Sequence, residues 1–260
     1  MALLTGYFDE SGIHEGDHWC VVAGFVGNDA QWQALAAEWI PAIKPRSNLH
    51  MKQLRWNKHP QKIAQLLSKV GPIPAKYNLQ PVMAAIRWSD YTSIMKDKVN
   101  EQFTTPYMFC AHLCMITALF EIVGSDDVIF LFDRQEGMRK ATMEKLRDIV
   151  YKKIGVDRRV QNVDFIPRRT TVCLDPADCL AFTLHHQGLA HKSDKATFGA
   201  SIFGSKGAKG IHGGKVHPSQ LRWLVKDAQQ SGMVPGGKQK FPREAIEMLM
   251  KHPYWRGPKK

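Results

Sequence analysis

The sequence has few cysteines, no long apolar run and no basic leader. Its 260 residues include five cysteines, and no two of them form a CxxC pair. This odd set predicts no disulfide framework and suits a reducing compartment, so we expect a cytoplasmic protein. No apolar run approaches the ~20 residues of a membrane span. A signal peptide has a positively charged start followed by an apolar stretch, whereas this sequence has the acids Asp9 and Glu10 near its start. These absences argue against secreted and membrane proteins.

The hydrophobic fraction of 44% is that of an ordinary globular protein, but the charge is unevenly distributed. Residues 192–260 contain 14 Lys or Arg and 4 Asp or Glu, a net charge of +10. Residues 1–191 contain 22 and 20, a net charge of only +2. Such a basic block favours a polyanion such as nucleic acid, and a solvated tail is the alternative. We therefore expect a domain over 1–191 and a flexible, Gly- and Lys-rich extension over 192–260.

The spacing of apolar residues predicts an α/β fold. Apolar, β-branched or aromatic segments predict strands at 3–8, 19–27, 82–87, 128–132 and 163–166. Helical periodicity predicts helices at 29–43, 107–123, 138–154, 175–188 and 243–250. The first two strands are close enough in sequence to pair antiparallel, and the later alternation of strands and helices is typical of parallel pairing. The sequence therefore predicts a mixed sheet flanked by helices, with a helical insertion and a basic C-terminal extension.

Acidic residues lie where these elements begin or end. Asp9 ends the first strand and Asp133 ends the fourth. If these two strands are neighbours, their carboxylates meet at one edge of the sheet. Asp175 and Asp178 are three residues apart at the start of the last core helix, so both can face the same side and Asp178 can reach that edge. A plain turn is the alternative for residues 9–12, but a turn does not explain the apolar strand that ends on Asp133.

Converging carboxylates repel one another unless a cation neutralises them. Oxygen ligands suit Mg²⁺ or Mn²⁺, and two such ions ~3.5–4 Å apart are the usual apparatus for phosphodiester hydrolysis. We expect Asp9, Asp133 and Asp178 to hold the metal, with Glu10 or Asp175 completing the set. For Asp175 a helix N-cap is the preferred interpretation, because Asp before Pro at a helix start is ordinary capping.

Three segments resemble the family known as domain of unknown function 3800, which belongs to the RNase H-like superfamily. They are the FDESG opening at 8–12, the apolar strand that ends on Asp133, and the ADCLA run at 177–181. The resemblance covers roughly residues 3–190 and leaves the basic segment outside it. In that superfamily carboxylate-bound metals cut nucleic acids.

The resemblance implies that Asp9, Asp133 and Asp178 are metal ligands and that Glu10 is an adjacent acid. His50, in the NLH segment, resembles a further element of the family and is expected to approach the same cleft. One position departs from the family, which often has Gln two residues before its "AD" pair. This chain has Asp175 there, either as a fourth acid or as a helix cap.

Other conspicuous residues have a structural interpretation that we prefer. His185 follows Asp178 by about two helical turns and could reach a phosphate or a proton, but a partly buried histidine is the simpler explanation. Cys110 and Cys114 share a helix face from which His112 points away, so they do not predict a zinc site.

These features together predict a Mg²⁺- or Mn²⁺-dependent nuclease acting on DNA or RNA, in which the basic segment holds the phosphate backbone. The alternative is a nucleic-acid- or partner-binding module on a catalytically degenerate RNase H-like fold. A toxin or defence effector whose nuclease is switched on by a partner is compatible with this build, but no residue argues for it.

Overall fold

We describe the fold from a computed structural model. The described residues are 1–14, 16–54, 58–96, 105–134, 159–189 and 210–230. The helices predicted at 138–154 and 243–250 lie outside these ranges, as does most of the basic C-terminal segment.

Six strands form one sheet in the described part of the chain. They are β1 Leu3–Ser11, β2 Trp19–Asn28, β3 Gln80–Arg87, β4 Asp127–Asp133, β5 Val160–Ile166 and β6 His212–Lys215. Their order across the sheet is β5-β4-β1-β2-β3-β6. Strand β2 is antiparallel to β1 and β3, and all other neighbours are parallel. The predicted mixed sheet flanked by helices is confirmed, and the first and fourth strands are neighbours as expected.

Helices cover both faces of this sheet. They are α1 Asp29–Ile43, α2 Pro60–Val70, α3 Ile73–Lys76, α4 Trp88–Asp90, α5 Pro106–Ala118, α6 Leu174–Leu189 and α7 Pro218–Gln230. A five-residue π-helix, Leu119–Val123, continues α5. The helices between β2 and β3 form the predicted helical insertion.

Helix α1 has the predicted bounds because its first turn is capped by side chains. Asn28 Oδ1 accepts a hydrogen bond from the Gln31 amide (2.9 Å), and Gln31 Oε1 accepts one from the Asn28 amide (2.8 Å). A proline commonly ends a helix, but Pro41 lies inside this one. Trp39 and Ile43 are buried on either side of the proline, and this packing offsets the hydrogen bond that Pro41 cannot donate.

The core consists of two apolar layers, one on each face of the sheet. One layer packs β1 and β4 against α5 and α7, and in it the rings of Phe8 and Phe132 stack with their centroids 5.2 Å apart. The other layer packs the opposite face against α1, α2 and α6 and contains Trp32 and Trp39. Successive residues of a strand point alternately into these two layers, so the face on which a side chain lies follows from its position along the strand.

The helical stretch Pro106–Val123 is long and apolar enough to cross a membrane by length and composition, which no other helix of the described residues is. However, 83% of it is buried inside the fold. A central helix of a globular core passes the same test, so this stretch is only weak evidence for a membrane span.

Part of the basic C-terminal segment belongs to the sheet. Strand β6 pairs in parallel with β3, and Leu221 and Leu224 of α7 are fully buried against the α5 layer. The expected flexible segment is therefore wrong for residues 210–230, because burial of these apolar side chains stabilises a strand and a helix there. The boundary between 191 and 192 stays a prediction.

Candidate active site

Two of the predicted acids meet at the carboxyl ends of β1 and β4. These strands are parallel, with Phe8 opposite Phe132, so the residues that follow, Asp9 and Asp133, are neighbours at one edge. Both phenylalanines belong to the α5 layer, and alternation therefore turns the two carboxylates towards the face covered by α6. Asp9 is only 1% exposed and lies inside β1, so the interpretation of residues 9–12 as a surface turn is wrong.

Helix α6 brings a third carboxylate to this edge. Asp178 lies in its second turn and is buried. Its Oδ2 accepts a hydrogen bond from the Met51 amide (2.6 Å) and lies 3.4 Å from Nδ1 of His50. The predicted approach of His50 to the same cleft is therefore confirmed, and the segment that carries it is tied to α6 through this carboxylate.

An arginine that sequence reasoning missed lies at the centre of these carboxylates. Arg168 follows the end of β5 by two residues, so its guanidinium enters from the same edge. It forms ion pairs with Asp9, with Asp133 (2.9 Å) and with Asp178 (3.1 Å). The position of Arg168 directly after a strand parallel to β4 could have indicated this, had the parallel pairing of β4 and β5 been used.

His50 Nδ1 contacts both Arg168 and Asp178. One ring nitrogen cannot accept from the guanidinium and donate to the carboxylate at once. With Arg168 in place, the neutral imidazole accepts at Nδ1; a protonated imidazole donates to Asp178 instead. The hydrogen bond to Asp178 raises the pKa of His50, so departure of the arginine would favour the protonated ring.

Asp133 and Asp178 differ in the direction in which the site shifts their pKa. Burial, with the charge of Glu10 second, raises the pKa of Asp133 to about 7. Burial also acts to raise the pKa of Asp178, but His50, the Arg168 charge and the Met51 amide outweigh it, and the pKa is lowered. The site therefore holds Asp178 as an anion more firmly than Asp133, which takes up a proton easily.

The remaining predicted acids are placed differently. Asp175 Oδ2 accepts hydrogen bonds from the Leu49 amide (2.8 Å) and from Trp39 Nε1 (3.2 Å), so it ties α1 and the loop before His50 to α6. It lies in the first turn of α6 and does not line the cleft described below. Glu10 belongs by alternation to the α5 face, although it also borders the cleft. The predicted metal-binding roles of both acids stay predictions.

The carboxylates open into a cleft of about 610 Å³. Three basic side chains also line this cleft. Arg168 lies among the carboxylates, and the other two are Lys52 and Arg134. Lys52 and Arg134 are exposed, so they can meet an anionic ligand before it reaches the carboxylates. The cleft therefore combines a buried negative floor with a positive rim, an arrangement suited to a phosphate backbone and a cation.

The other residues considered from sequence serve the fold. His185 packs against Gly12, and burial lowers its pKa. Cys110 and Cys114 donate weak hydrogen bonds to backbone carbonyls of β2, and both are buried. Trp223 packs against the α5 layer. Tyr254 and Trp255, two further aromatic residues of the basic segment, lie outside the described residues.

The donor set fits a hard cation, although a guanidinium now lies at its centre. Three carboxylates converge on one positive group, and Asp133 Oδ1 is buried without a hydrogen-bond partner among the described residues. With the acids spread around Arg168, no group of three or more His, Cys, Asp or Glu in the described ranges is close enough to hold a metal ion. A metal bound by Asp9, Asp133 and Asp178 would therefore require Arg168 to leave.

Comparison with known proteins assigns the chain to no family. No protein-family model matches the chain, and no curated protein matches it. Among solved structures, the chain is similar to one described as the PCNA:RNase HII complex from Archaeoglobus fulgidus, with 15% identity and a TM-score of 0.41 over 99% of this chain and 97% of that one.

Proposed function

We propose that the protein is a divalent-metal-dependent nuclease that hydrolyses phosphodiester bonds of DNA or RNA. The observation that carries this proposal is the convergence of Asp9, Asp133 and Asp178 on one cation at the carboxyl edge of an RNase H-like sheet. Buried acids from two strands and a helix are costly to keep together unless a positive group holds them. Mg²⁺ or Mn²⁺ suits their oxygen donors.

Five residues of the cleft have a role in this chemistry. Asp9, Asp133 and Asp178 hold the ion, which when bound would activate a water and stabilise the leaving oxygen. His50 keeps Asp178 oriented through its hydrogen bond. Arg134 is exposed at the rim and holds the phosphate backbone as it enters.

Arg168 has two states in this proposal. Without metal, its guanidinium neutralises the three carboxylates and keeps the strand ends together. A metal bound by the three carboxylates would take the place of the guanidinium, whose planar fork could then hold a phosphate in a bidentate contact. Metal binding and release of this arginine are thus one event.

A cleavage assay tests the proposal. Purified protein is incubated with labelled DNA, RNA and hybrid substrates in EDTA, Mg²⁺ or Mn²⁺, and Asp9→Asn and Asp133→Asn are compared with wild type. We expect metal-dependent cleavage by wild type and none by either variant. Asp127→Asn is the matched control, because Asp127 begins the strand that Asp133 ends and lies at the opposite edge of the sheet. Equal cleavage by all four proteins would overturn the assignment.

One observation favours a second function. The protein supplies its own cation at the centre of the carboxylates, and a site completed by Arg168 needs no metal to be stable. On this reading the fold is a catalytically degenerate module that binds nucleic acid or a protein partner. Salt-sensitive binding without cleavage in any divalent ion, together with unchanged melting temperature on addition of Mn²⁺, would support this second function over the first.

A further inference from the structure

A cluster of one aromatic and two basic side chains lies at the same edge of the sheet, beyond β1. Trp19 begins β2, and Arg87 ends β3 directly opposite it. Lys215 ends β6, opposite Ala85. The Arg87 guanidinium carbon lies 5.0 Å from the centre of the Trp19 ring, and the Lys215 ammonium lies 5.1 Å from it. We refer to Trp19, Arg87 and Lys215 as the Trp19 cluster.

The Trp19 cluster borders an open pocket of about 400 Å³. Arg87, Lys215 and His217 are exposed, and Trp19 is partly buried. Among the described residues, Asp90 is the one acid that lines this pocket, so their fixed positive charges outnumber the negative one. An indole ring flanked by cations is the usual combination for an unpaired nucleotide, whose base stacks on the ring while its phosphate meets the charges.

The Trp19 cluster and the carboxylates share one edge and one face of the sheet. Strands β1, β3 and β6 point in the same direction, so Asp9, Arg87 and Lys215 all lie at carboxyl ends. Trp19 packs on the same core layer as Tyr7, and Asp9 shares the face of Tyr7 by alternation. A ligand lying along this edge can therefore reach both groups.

The separation of the two groups suits a short stretch of nucleic acid. Asp9 is opposite Ala23, four residues from Trp19, which is roughly 13 Å along the strand. Arg87 is two strands away from β1, or about 10 Å across the sheet. These distances correspond to a few nucleotides of a nucleic acid strand that runs from the Trp19 cluster to the carboxylates.

We propose that the Trp19 cluster binds an unpaired nucleotide, so that the substrate of the carboxylate cleft is single-stranded nucleic acid or a single-stranded end. In a duplex the faces of the bases are covered by their neighbours, and stacking on Trp19 needs a base that is free. Stacking is indifferent to the sugar, so the cluster accepts DNA or RNA. That the bound strand continues into the carboxylate cleft as a substrate rests on the proposed nuclease function. Binding of the unpaired nucleotide to the Trp19 cluster does not need catalysis.

Fluorescence anisotropy with the full-length protein in EDTA tests the inference without cleavage. The probes are labelled single-stranded DNA, single-stranded RNA and a duplex, each of about 12 nucleotides. We expect Trp19→Ala to weaken binding of single strands by roughly 5- to 100-fold and binding of the duplex by much less. Trp19→Phe, which keeps an aromatic face, should stay within about threefold of wild type.

The charged members are tested with a matched control. Lys215→Gln should weaken single-strand binding and lower the slope of log affinity against log salt by about 0.7. Lys76→Gln is the control, because Lys76 also lies over an aromatic ring, that of Tyr77 at 5.3 Å, but precedes β3 at the opposite edge. If Trp19→Ala fails to fold by circular dichroism, the double variant Arg87→Gln with Lys215→Gln carries the test.

The outcomes separate this inference from the proposed nuclease. Unchanged single-strand affinity in Trp19→Ala, preference for the duplex, or an equal loss in Lys76→Gln overturns the inference even if cleavage is observed. Conversely, binding that depends on Trp19 and Lys215 in a protein that never cleaves supports the site and overturns the nuclease.

Discussion

Two groups of charged side chains lie along the carboxyl ends of the parallel strands, and they differ in whether their charge is neutralised within the fold. At β1, β4 and β5, carboxylates are buried around Arg168, and charge is neutralised inside the fold. At β2, β3 and β6, Arg87 and Lys215 stay exposed around a single indole. Buried charges hold a structure together only when each has its partner, whereas exposed charges contribute little to stability and remain available to a ligand. We call the carboxylates around Arg168 the closed end and the Trp19 cluster the open end. Mutations at the closed end should therefore change the stability of the fold, whereas mutations at the open end should change the affinity for a ligand.

The largest expected effect is at the centre of the closed end. Arg168→Gln removes the cation from three buried or half-buried carboxylates, and we expect the free energy of unfolding in EDTA to fall by about 3–5 kcal/mol. Mn²⁺ should raise the melting temperature of the variant more than that of wild type, because the ion can take the vacated position. Urea unfolding followed by circular dichroism, and thermal melts with and without Mn²⁺, measure these changes.

Arg134→Gln is the control for this experiment, since Arg134 lines the same cleft but is exposed. Its stability should stay within about 0.5 kcal/mol of wild type. An Arg168 variant as stable as this control would show that the guanidinium does not hold the closed end together.

The next effect is expected where the two ends join. Gly12 has a positive φ of 75°, and a Cβ there would meet the backbone oxygen of Trp19 and the ring of His185. Its carbonyl also accepts a hydrogen bond from Trp88 Nε1 (2.7 Å). Gly12→Ala should therefore cost about 2–4 kcal/mol of unfolding free energy and disturb both ends at once.

The matched control is Gly16→Ala, because Gly16 also has a positive φ but a Cβ there has open space. It isolates the cost of backbone conformation from that of the contacts. Equal losses in the two glycine variants would contradict the close packing between the ends.

A smaller effect should appear in the pH dependence of stability. Burial raises the pKa of Asp175 to about 7, and burial together with Glu10 raises that of Asp133 to about 7, both above the ordinary value of 3.8. The folded protein therefore keeps protons that the unfolded chain releases between about pH 4 and 7. Stability should be highest near pH 4 as far as these groups are concerned and should fall by about 1–3 kcal/mol as the pH rises to 7.

Asp175→Asn tests this linkage, since an amide oxygen can still accept from Leu49 and Trp39. Urea unfolding in EDTA at several pH values should give a flatter profile for the variant than for wild type. A profile that keeps its full slope would mean that Asp175 does not titrate in this window.

The smallest effect is expected at the open end. Removing one exposed cation from beside the partly buried indole costs about 0.5–1 kcal/mol, so Arg87→Gln and Lys215→Gln should each change stability little. Thermal melts of the two variants beside wild type measure this. A loss as large as that of Arg168→Gln would mean that the open end is structural and would remove the contrast between the ends.

Local pattern was sufficient to locate five of the six strands of the described residues and to single out three of the acids. The bounds of α1 were predicted because its capping box lies within four residues of sequence. Asp9 and Asp133 were found because an apolar strand that stops at an acid marks a sheet edge. Arg168 was missed because its contacts span up to 159 residues, and no local pattern records such a distance. Strand β6 was missed for the same reason, since its short HGGK sequence pairs with β3 only once the sheet exists.

The sequence by itself determined where five of the strands lie and that their residues alternate between the two faces of the sheet, because alternation along a strand is a local property. Tertiary structure decided the rest. It placed Arg168 among the carboxylates, turned Asp175 towards Trp39 and aligned Trp19, Arg87 and Lys215 on the edge that Asp9 shares. These arrangements depend on strand order and on helix packing, which join residues far apart in the chain.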